Sequence, residues 1–111
     1  MASLTTGNGL PNVVVTGIAM TTALATDAEN TWKKLLDGQC GIRKLEDPFV
    51  EEYDLPVRIG GHLLEEFDSQ LNKVENRRMS YLQKMATVLG RRVWEDTGSP
   101  EVDTRRLMVS I

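Results

Sequence analysis

The stretch VVVTG at residues 13–17 decides the predicted fold class. A run of β-branched residues that ends in glycine is typical of a short strand buried on both faces. Such strands belong to parallel sheets that are covered by helices on both sides. The stretch LMVSI at residues 107–111 has the same apolar character and predicts a second strand of this kind.

A first helix is predicted shortly after the first strand, over about residues 27–37. Thr26 and Glu29 have the spacing of a capping box, in which each side chain satisfies a free backbone N–H of the first turn. Gly38 stands where a residue with left-handed backbone would end the helix.

The strongest helical pattern covers about residues 77–96. Two adjacent apolar stripes occupy about half of this helix's circumference, which predicts packing on two sides. Gly90 beside these stripes predicts a close backbone approach, because glycine is otherwise unfavourable inside a helix. Gly98 followed by Pro100 marks the end of the helix.

The stretch between the two helices is less regular. Residues 39–56 are acidic and interrupted by glycine and proline, which predicts a solvated surface loop. A short strand with a bend is predicted around Gly60 and Gly61. Residues 64–76 have apolar side chains at helical spacing, but the polar residues among them weaken the prediction of a helix.

The predicted order is strand–helix–loop–helix–strand, the outline of a parallel β–α–β crossover, so the fold class is α/β. Residues 1–12 read as a flexible lead-in and residues 13–111 as one structural segment. Two strands are too few for a parallel sheet, because each needs neighbours and helices on both faces. We therefore expect residues 13–111 to be the incomplete N-terminal part of a larger α/β domain, truncated after the second parallel strand.

Composition narrows the classes of function. The 111 residues carry a net charge of −3, with a single cysteine and a single histidine. An acidic chain argues against a nucleic-acid binder, and one cysteine excludes an internal disulfide framework. No metal site is expected, and no apolar run reaches the roughly 20 residues that cross a bilayer. Without a basic segment and apolar stretch at the start, a secretory signal is not expected, and the cytoplasm is the predicted location.

Four motifs in order resemble the N-terminal part of the β-ketoacyl-[acyl-carrier-protein] synthases, condensing enzymes with the thiolase fold. They are VVVTGIAMTT at 13–22, TWKKLLDGQCGI at 31–42, RIGGHLLEEFD at 58–68 and RRMSYLQKMATVLGRRVWEDTGSP at 77–100. Within the family the chain looks most like the mycobacterial type II synthases that extend meromycolate chains.

This resemblance implies a decarboxylative condensation in fatty-acid or mycolic-acid elongation. An acyl group passes to a cysteine, malonyl-carrier protein loses CO₂, and the resulting carbanion attacks the thioester. In the family the cysteine and two histidines follow the region matched here, so the resemblance assigns no catalytic residue and no cofactor to this chain. On this basis the 111 residues are predicted to be inactive in isolation, and the intact enzyme is expected to be capable of homo-oligomerisation.

The resemblance also implies that Arg77 and Arg78, at the start of the long helix, bind acyl carrier protein. Attraction of an acidic partner by a basic patch is physically reasonable. The alternative for these residues is a solvated basic face, and for Arg91 and Arg92 that alternative is preferred, since cations are favourable near a helix C-terminus.

The remaining candidates have structural interpretations. Cys40 follows the first helix and does not match the family nucleophile, so a structural or incidental role is expected. His62 is interpreted as a surface or hydrogen-bonded histidine. The two tryptophans and three of the methionines are assigned to packing rather than to an acyl-binding surface: Trp32, Trp94, Met79, Met85 and Met108.

Two other functions stay open. The chain could be a non-catalytic module that binds acyl carrier protein or a full-length synthase, with the edge of LMVSI adding to another sheet. A nucleic-acid binder that uses the four arginines of the long helix is disfavoured by the acidic total charge.

Overall fold

The computed structural model describes residues 5–110 and shows a mixed arrangement of helices and short strands. In chain order the elements are α1 (Ala28–Leu36), β1 (Arg43–Lys44), α2 (Pro48–Glu52), β2 (Ile59–Gly60), a 3₁₀ turn (Asp68–Gln70), α3 (Lys73–Arg78), α4 (Tyr81–Asp96) and a second 3₁₀ turn (Thr104–Arg106). Strands β1 and β2 pair antiparallel, with Arg43 opposite Gly60 and Lys44 opposite Ile59. The predicted short strand near Gly60 is thereby confirmed.

Helix α1 lies where the sequence predicts it, but its cap is one residue later. The Asp27 carboxylate accepts the backbone N–H of Asn30 at 2.8 Å, so Asp27 rather than Thr26 is the N-cap. Gly38 has a φ of +72° and donates its N–H to the Leu35 carbonyl, which confirms it as the residue that ends the helix.

The long helix predicted from residue 77 is divided in two. Met79 is extended, and Ser80 caps a new helix through a capping box with Gln83, whose side chain accepts the Ser80 N–H at 2.8 Å. Arg77 and Arg78 therefore end α3 instead of opening α4. The predicted helical tendency of residues 64–76 is realised as the 3₁₀ turn and most of α3.

The acidic stretch 39–56 is not only a solvated loop. It contains β1 and α2, and α2 begins with Pro48 at its first position and buries Val50 almost completely, with 1% of its surface exposed. Proline is favoured at this position because its missing N–H would have no partner there. The prediction of a loop is wrong here because it took Pro48 as a break in the helix, whereas proline breaks a helix only when it stands in the helix interior.

The two predicted parallel strands do not form in this structure. Val13, Val14 and Val15 are exposed and outside any strand, and so are Leu107, Met108 and Val109; Ile111 lies outside the described residues. A parallel strand is held by a neighbour in the sheet, and these two segments do not pair with each other. The predicted β–α–β crossover is therefore replaced by the antiparallel β1–β2 pair.

The segment after Val15 packs on a helix end instead. The Ile18 N–H donates to the Asp96 carboxylate at 2.9 Å, and Gly17 lies so close to Thr97 that a Cβ there would be 2.5 Å from the Thr97 methyl group. These two contacts hold residues 17 and 18 against the C-terminal end of α4.

The core is small for the length of the chain. The buried apolar side chains among residues 5–110 are Ala25, Val50, Phe67 and Val88. The radius of gyration is 19.1 Å, whereas a closely packed domain of this length has about 13 Å. Much of the apolar surface that the helices and the valine segment offer is therefore not covered by other described residues.

Helix α1 shows this in detail. Its buried residue is Thr31, whose hydroxyl donates to the Asp27 carbonyl at 2.7 Å and lies 3.1 Å from the Thr22 hydroxyl. Trp32 is 62% exposed, and Leu35 and Leu36 are exposed as well. The assignment of Trp32 to packing is wrong for this structure, and so is that of Met108, which is 86% exposed. Met79 and Met85 are partly buried, and Trp94 is 37% exposed.

Candidate functional site

The candidate site is the surface formed by α3, which carries three cationic side chains. Arg77 and Arg78 stand in its last turn, and Lys73 opens it. All three are exposed, and within residues 5–110 none of them forms an ion pair. We call Lys73, Arg77 and Arg78 the α3 basic surface.

Lys73 was not singled out by the sequence. It is four residues before Arg77, so the two side chains lie on one side of the helix. That spacing is the signal that could have identified it.

Helix α3 is fixed at its beginning by a reciprocal cap. The Asn72 side chain accepts the backbone N–H groups of Val74 and Glu75 at 2.9 and 3.0 Å, and the Glu75 carboxylate accepts the Asn72 N–H at 3.0 Å. The Asn76 amide donates to the Asp68 carbonyl at 2.8 Å, which ties the helix to the preceding 3₁₀ turn. The orientation of α3 is therefore set by both local and longer contacts.

Arg91 connects α4 to α3. Its Nη2 donates to Glu75 Oε1 at 2.5 Å, and the Glu75 side chain is mostly buried. The hydrogen bond from Arg91 lowers the pKa of Glu75, with a further contribution from the Asn72 N–H. Arg91 is thus neutralised by a carboxylate and does not form a free basic face.

Arg92 connects α4 to the segment before α3. Its Nη1 and Nη2 donate to the two Glu65 oxygens at 2.8 and 2.6 Å, and Nη2 also donates to the Gln70 side-chain oxygen at 2.7 Å. The Arg92 bonds, opposed by desolvation, lower the pKa of Glu65 to about 2. The solvated basic face predicted for Arg91 and Arg92 is replaced by two ion pairs between elements.

Two further contacts hold the 3₁₀ turn against the first turn of α4. Lys84 donates to the Asp68 carboxylate at 2.7 Å, and the buried Phe67 ring lies 5.7 Å from the Tyr81 ring at 59°. Tilted aromatic pairs at this distance are favourable. The region around α3 therefore has a defined geometry in spite of the small core.

The other candidates lie away from this surface. Cys40 is exposed with a free thiol. His62 is exposed and its Nε2 lies 3.0 Å from an oxygen of Asp47, which precedes α2. Within residues 5–110 no group of three histidine, cysteine or acidic side chains is arranged to hold a metal ion, and no helix there is long and apolar enough to cross a membrane.

An open groove of about 550 Å³ runs along α4 beside Ala86, Gly90, Trp94 and Val109. The close backbone packing predicted for Gly90 is wrong here, because a Cβ at this position would have no atom within 4 Å.

Comparison with known proteins identifies the family. Residues 11–111 match the family model for the N-terminal domain of beta-ketoacyl synthases. The chain is 76% identical over 111 residues to the 3-oxoacyl-[acyl-carrier-protein] synthase 2 of Mycobacterium tuberculosis (strain ATCC 25618 / H37Rv), a match that covers 100% of the chain and 27% of that protein.

The relative of the same name in Mycobacterium leprae is 77% identical over 108 residues, covering 97% of the chain and 26% of that protein. The mitochondrial 3-oxoacyl-[acyl-carrier-protein] synthase of Arabidopsis thaliana is 43% identical over 49 residues, covering 42% of the chain and 11% of that protein. The chain thus spans about a quarter of the length of the mycobacterial relatives.

Proposed function

Because the chain belongs to the β-ketoacyl synthase family, through that family's N-terminal domain, we propose that it forms the N-terminal part of a 3-oxoacyl-[acyl-carrier-protein] synthase. The reaction is the decarboxylative condensation of an acyl thioester with malonyl-carrier protein in fatty-acid elongation. We take meromycolate chains as the substrates, as the resemblance to the mycobacterial type II synthases implies. We place the enzyme in the cytoplasm, as a homo-oligomer.

The share of the reaction that we assign to this chain is recognition of the carrier protein. The resemblance implies that the nucleophilic cysteine and the two histidines follow the matched region, and we assign no catalytic role to Cys40. The chain's own contribution to acyl transfer is therefore to bring the acidic carrier to the enzyme and to support the fold that holds the reacting groups.

One observation carries the assignment of Arg77 and Arg78 to this role. Arg91 and Arg92, on α4, are taken up by Glu75 and Glu65, whereas Arg77 and Arg78 have no carboxylate partner within residues 5–110. An exposed cation without an internal partner is available to an acidic protein, and it raises the rate of encounter most at low salt. We add Lys73 to the same surface.

The thiolase-like fold also gives the exposed valine segment a role. We propose that residues 13–15 and 107–111 are neighbouring parallel strands in the intact enzyme, in the order strand–helix–loop–helix–strand. The exposed apolar side chains of residues 13–15 and 107–109 support this, because parallel strands with apolar side chains on both faces are stable only when layers of helices cover them.

The test of carrier binding is a double charge reversal in the whole polypeptide, by which we mean the intact synthase proposed above. Arg77→Glu with Arg78→Glu should weaken binding of the holo acyl carrier protein at low salt, and the difference should shrink as salt is added. The matched control is Arg105→Glu with Arg106→Glu, which changes the net charge equally on the 3₁₀ turn at Thr104–Arg106. Equal weakening by both pairs would contradict a specific role for α3.

A non-catalytic module is the second candidate, and the exposed segment Leu107–Val109 favours it, since an unpaired apolar segment can add to another protein's sheet. Co-purification of the 111-residue chain with a full-length synthase, lost on Met108→Lys, would support the module.

A further inference from the structure

The Glu75 carboxylate takes part in two contacts. Oε2 accepts the Asn72 N–H at 3.0 Å and so completes the cap of α3, while Oε1 accepts from Arg91 Nη2 on α4 at 2.5 Å and Oε2 also accepts from Arg91 Nη1 at 3.5 Å. One side chain therefore both starts α3 and attaches it to the neighbouring helix.

Helix α3 needs such an attachment. It has six residues, and helices much shorter than about 12 residues are marginal in water because few backbone hydrogen bonds offset the cost of nucleation. Val74 on α3 is exposed, and no residue of α3 is buried, so apolar packing contributes little to its orientation.

We propose that Glu75 is a positioning residue for carrier-protein binding: through its ion pair with Arg91 it holds α3 so that Lys73, Arg77 and Arg78 present one basic surface. The proposal rests on the proposed function of that surface. Glu75 itself does not contact the carrier, since its carboxylate is occupied by Asn72 and Arg91 and its side chain is mostly buried.

The charge of Glu75 makes this proposal testable. Glu75→Gln removes one negative charge and raises the net charge of the protein by one, whereas Arg91→Gln removes one positive charge and lowers it by one. If only net charge matters, an acidic carrier should bind the first variant more tightly and the second more weakly. If the ion pair positions α3, both variants should bind more weakly. Glutamine can still accept the Asn72 N–H, so Glu75→Gln separates the cap from the attachment to α4.

The matched control is the ion pair between Asp103 and Arg105, in which the carboxylate likewise accepts a backbone N–H and an arginine. Asp103→Asn and Arg105→Gln make the same two changes of charge in a pair that does not contact α3. These variants should move carrier affinity in opposite directions, and by no more than about twofold each.

Binding of the holo acyl carrier protein is measured in the whole polypeptide at low salt, below the unfolding temperature of every variant. We expect Glu75→Gln and Arg91→Gln each to weaken binding by about fivefold, and the double variant to be no weaker than the worse single one. Opposite shifts that match the control pair would overturn the positioning role, as would unchanged affinity in both.

The outcomes separate this inference from the proposed function. If the unmodified protein does not bind the carrier, or if Arg77→Glu with Arg78→Glu leaves binding unchanged, the proposed function fails. If binding depends on Arg77 and Arg78 but the Glu75 and Arg91 variants follow net charge, only the positioning role fails.

Discussion

The Arg92 guanidinium on α4 forms a two-bonded ion pair with Glu65, at 2.8 and 2.6 Å, across 27 residues of chain. The Glu65 side chain is only 10% exposed, and Gln70 accepts a further bond from the same guanidinium. This pair links the segment before the 3₁₀ turn to the second half of α4, and it places a charged contact where the apolar core is small.

Replacement of Glu65 by Gln should destabilise the protein. The change leaves a half-buried guanidinium without its carboxylate, and we expect a loss of about 2 kcal/mol in the free energy of unfolding. Urea unfolding of the two proteins measures the difference. The control is Glu29→Gln, which breaks the exposed Glu29–Lys33 pair and should cost less than about 0.5 kcal/mol. Equal losses would show that the Glu65 contact is no stronger than a surface pair.

The same pair predicts how stability depends on pH. The pKa of Glu65 is lowered from 4.5 to about 2, so its contribution is fully present above about pH 4.5 and is lost as the pH falls toward 2. The destabilisation caused by Glu65→Gln should therefore be constant near neutral pH and shrink below pH 4.5. Unfolding of both proteins by urea between pH 7 and pH 3 tests this, and a difference that stays constant to pH 3 would contradict the lowered pKa.

The cap at Ser80 should contribute to α4. Ser80→Ala removes the side-chain acceptor at the start of the helix and should cost about 1 kcal/mol. Ser80→Asp retains an acceptor and adds a negative charge at the helix N-terminus, so it should be close to neutral or slightly stabilising. Thermal unfolding of the three proteins measures the order, and an alanine variant as stable as the serine protein would contradict the capping role.

Local signals account for the elements that the sequence predicts well. The positions of α1 and α4 follow from apolar spacing and from the glycines at 38 and 98, both of which have positive φ. These signals act over a few residues and need no distant partner. The break between α3 and α4 was also encoded locally, in the Ser80–Gln83 capping box, but continuous apolar spacing across residues 77–96 concealed it.

The strands and the ion pairs depend on residues far apart in the chain. A strand at residues 13–15 needs a neighbour that the local pattern cannot specify, and the pairing of Glu75 with Arg91 or Glu65 with Arg92 spans 16 and 27 residues. The resemblance and the helix position therefore separated Arg77 and Arg78 from Arg91 and Arg92 at the level of the sequence, whereas the carboxylate partners of Arg91 and Arg92 are seen only in the structure.

Burial of Val50 provides a test of the helix found inside the acidic stretch. Val50→Ala removes two methyl groups from a site that is 1% exposed and should cost about 1–2 kcal/mol. The control Val57→Ala makes the same change at an exposed position and should cost less than about 0.5 kcal/mol. Urea unfolding compares them. Equal effects would favour the solvated loop that the sequence alone predicts.

The exposed valine segment tests the proposed strands of the intact enzyme. In the described structure Val14 is exposed, so Val14→Lys should be tolerated if this surface stays in water. In a buried parallel strand the same change places an ammonium group between apolar layers, and we expect a loss of several kcal/mol or failure to fold. Val57→Lys, at a position of similar exposure in the described structure, is the control. The melting temperature and soluble yield of the whole polypeptide report the outcome. A large loss for Val14→Lys with little change for Val57→Lys supports the buried strand, whereas equal tolerance of both substitutions contradicts it.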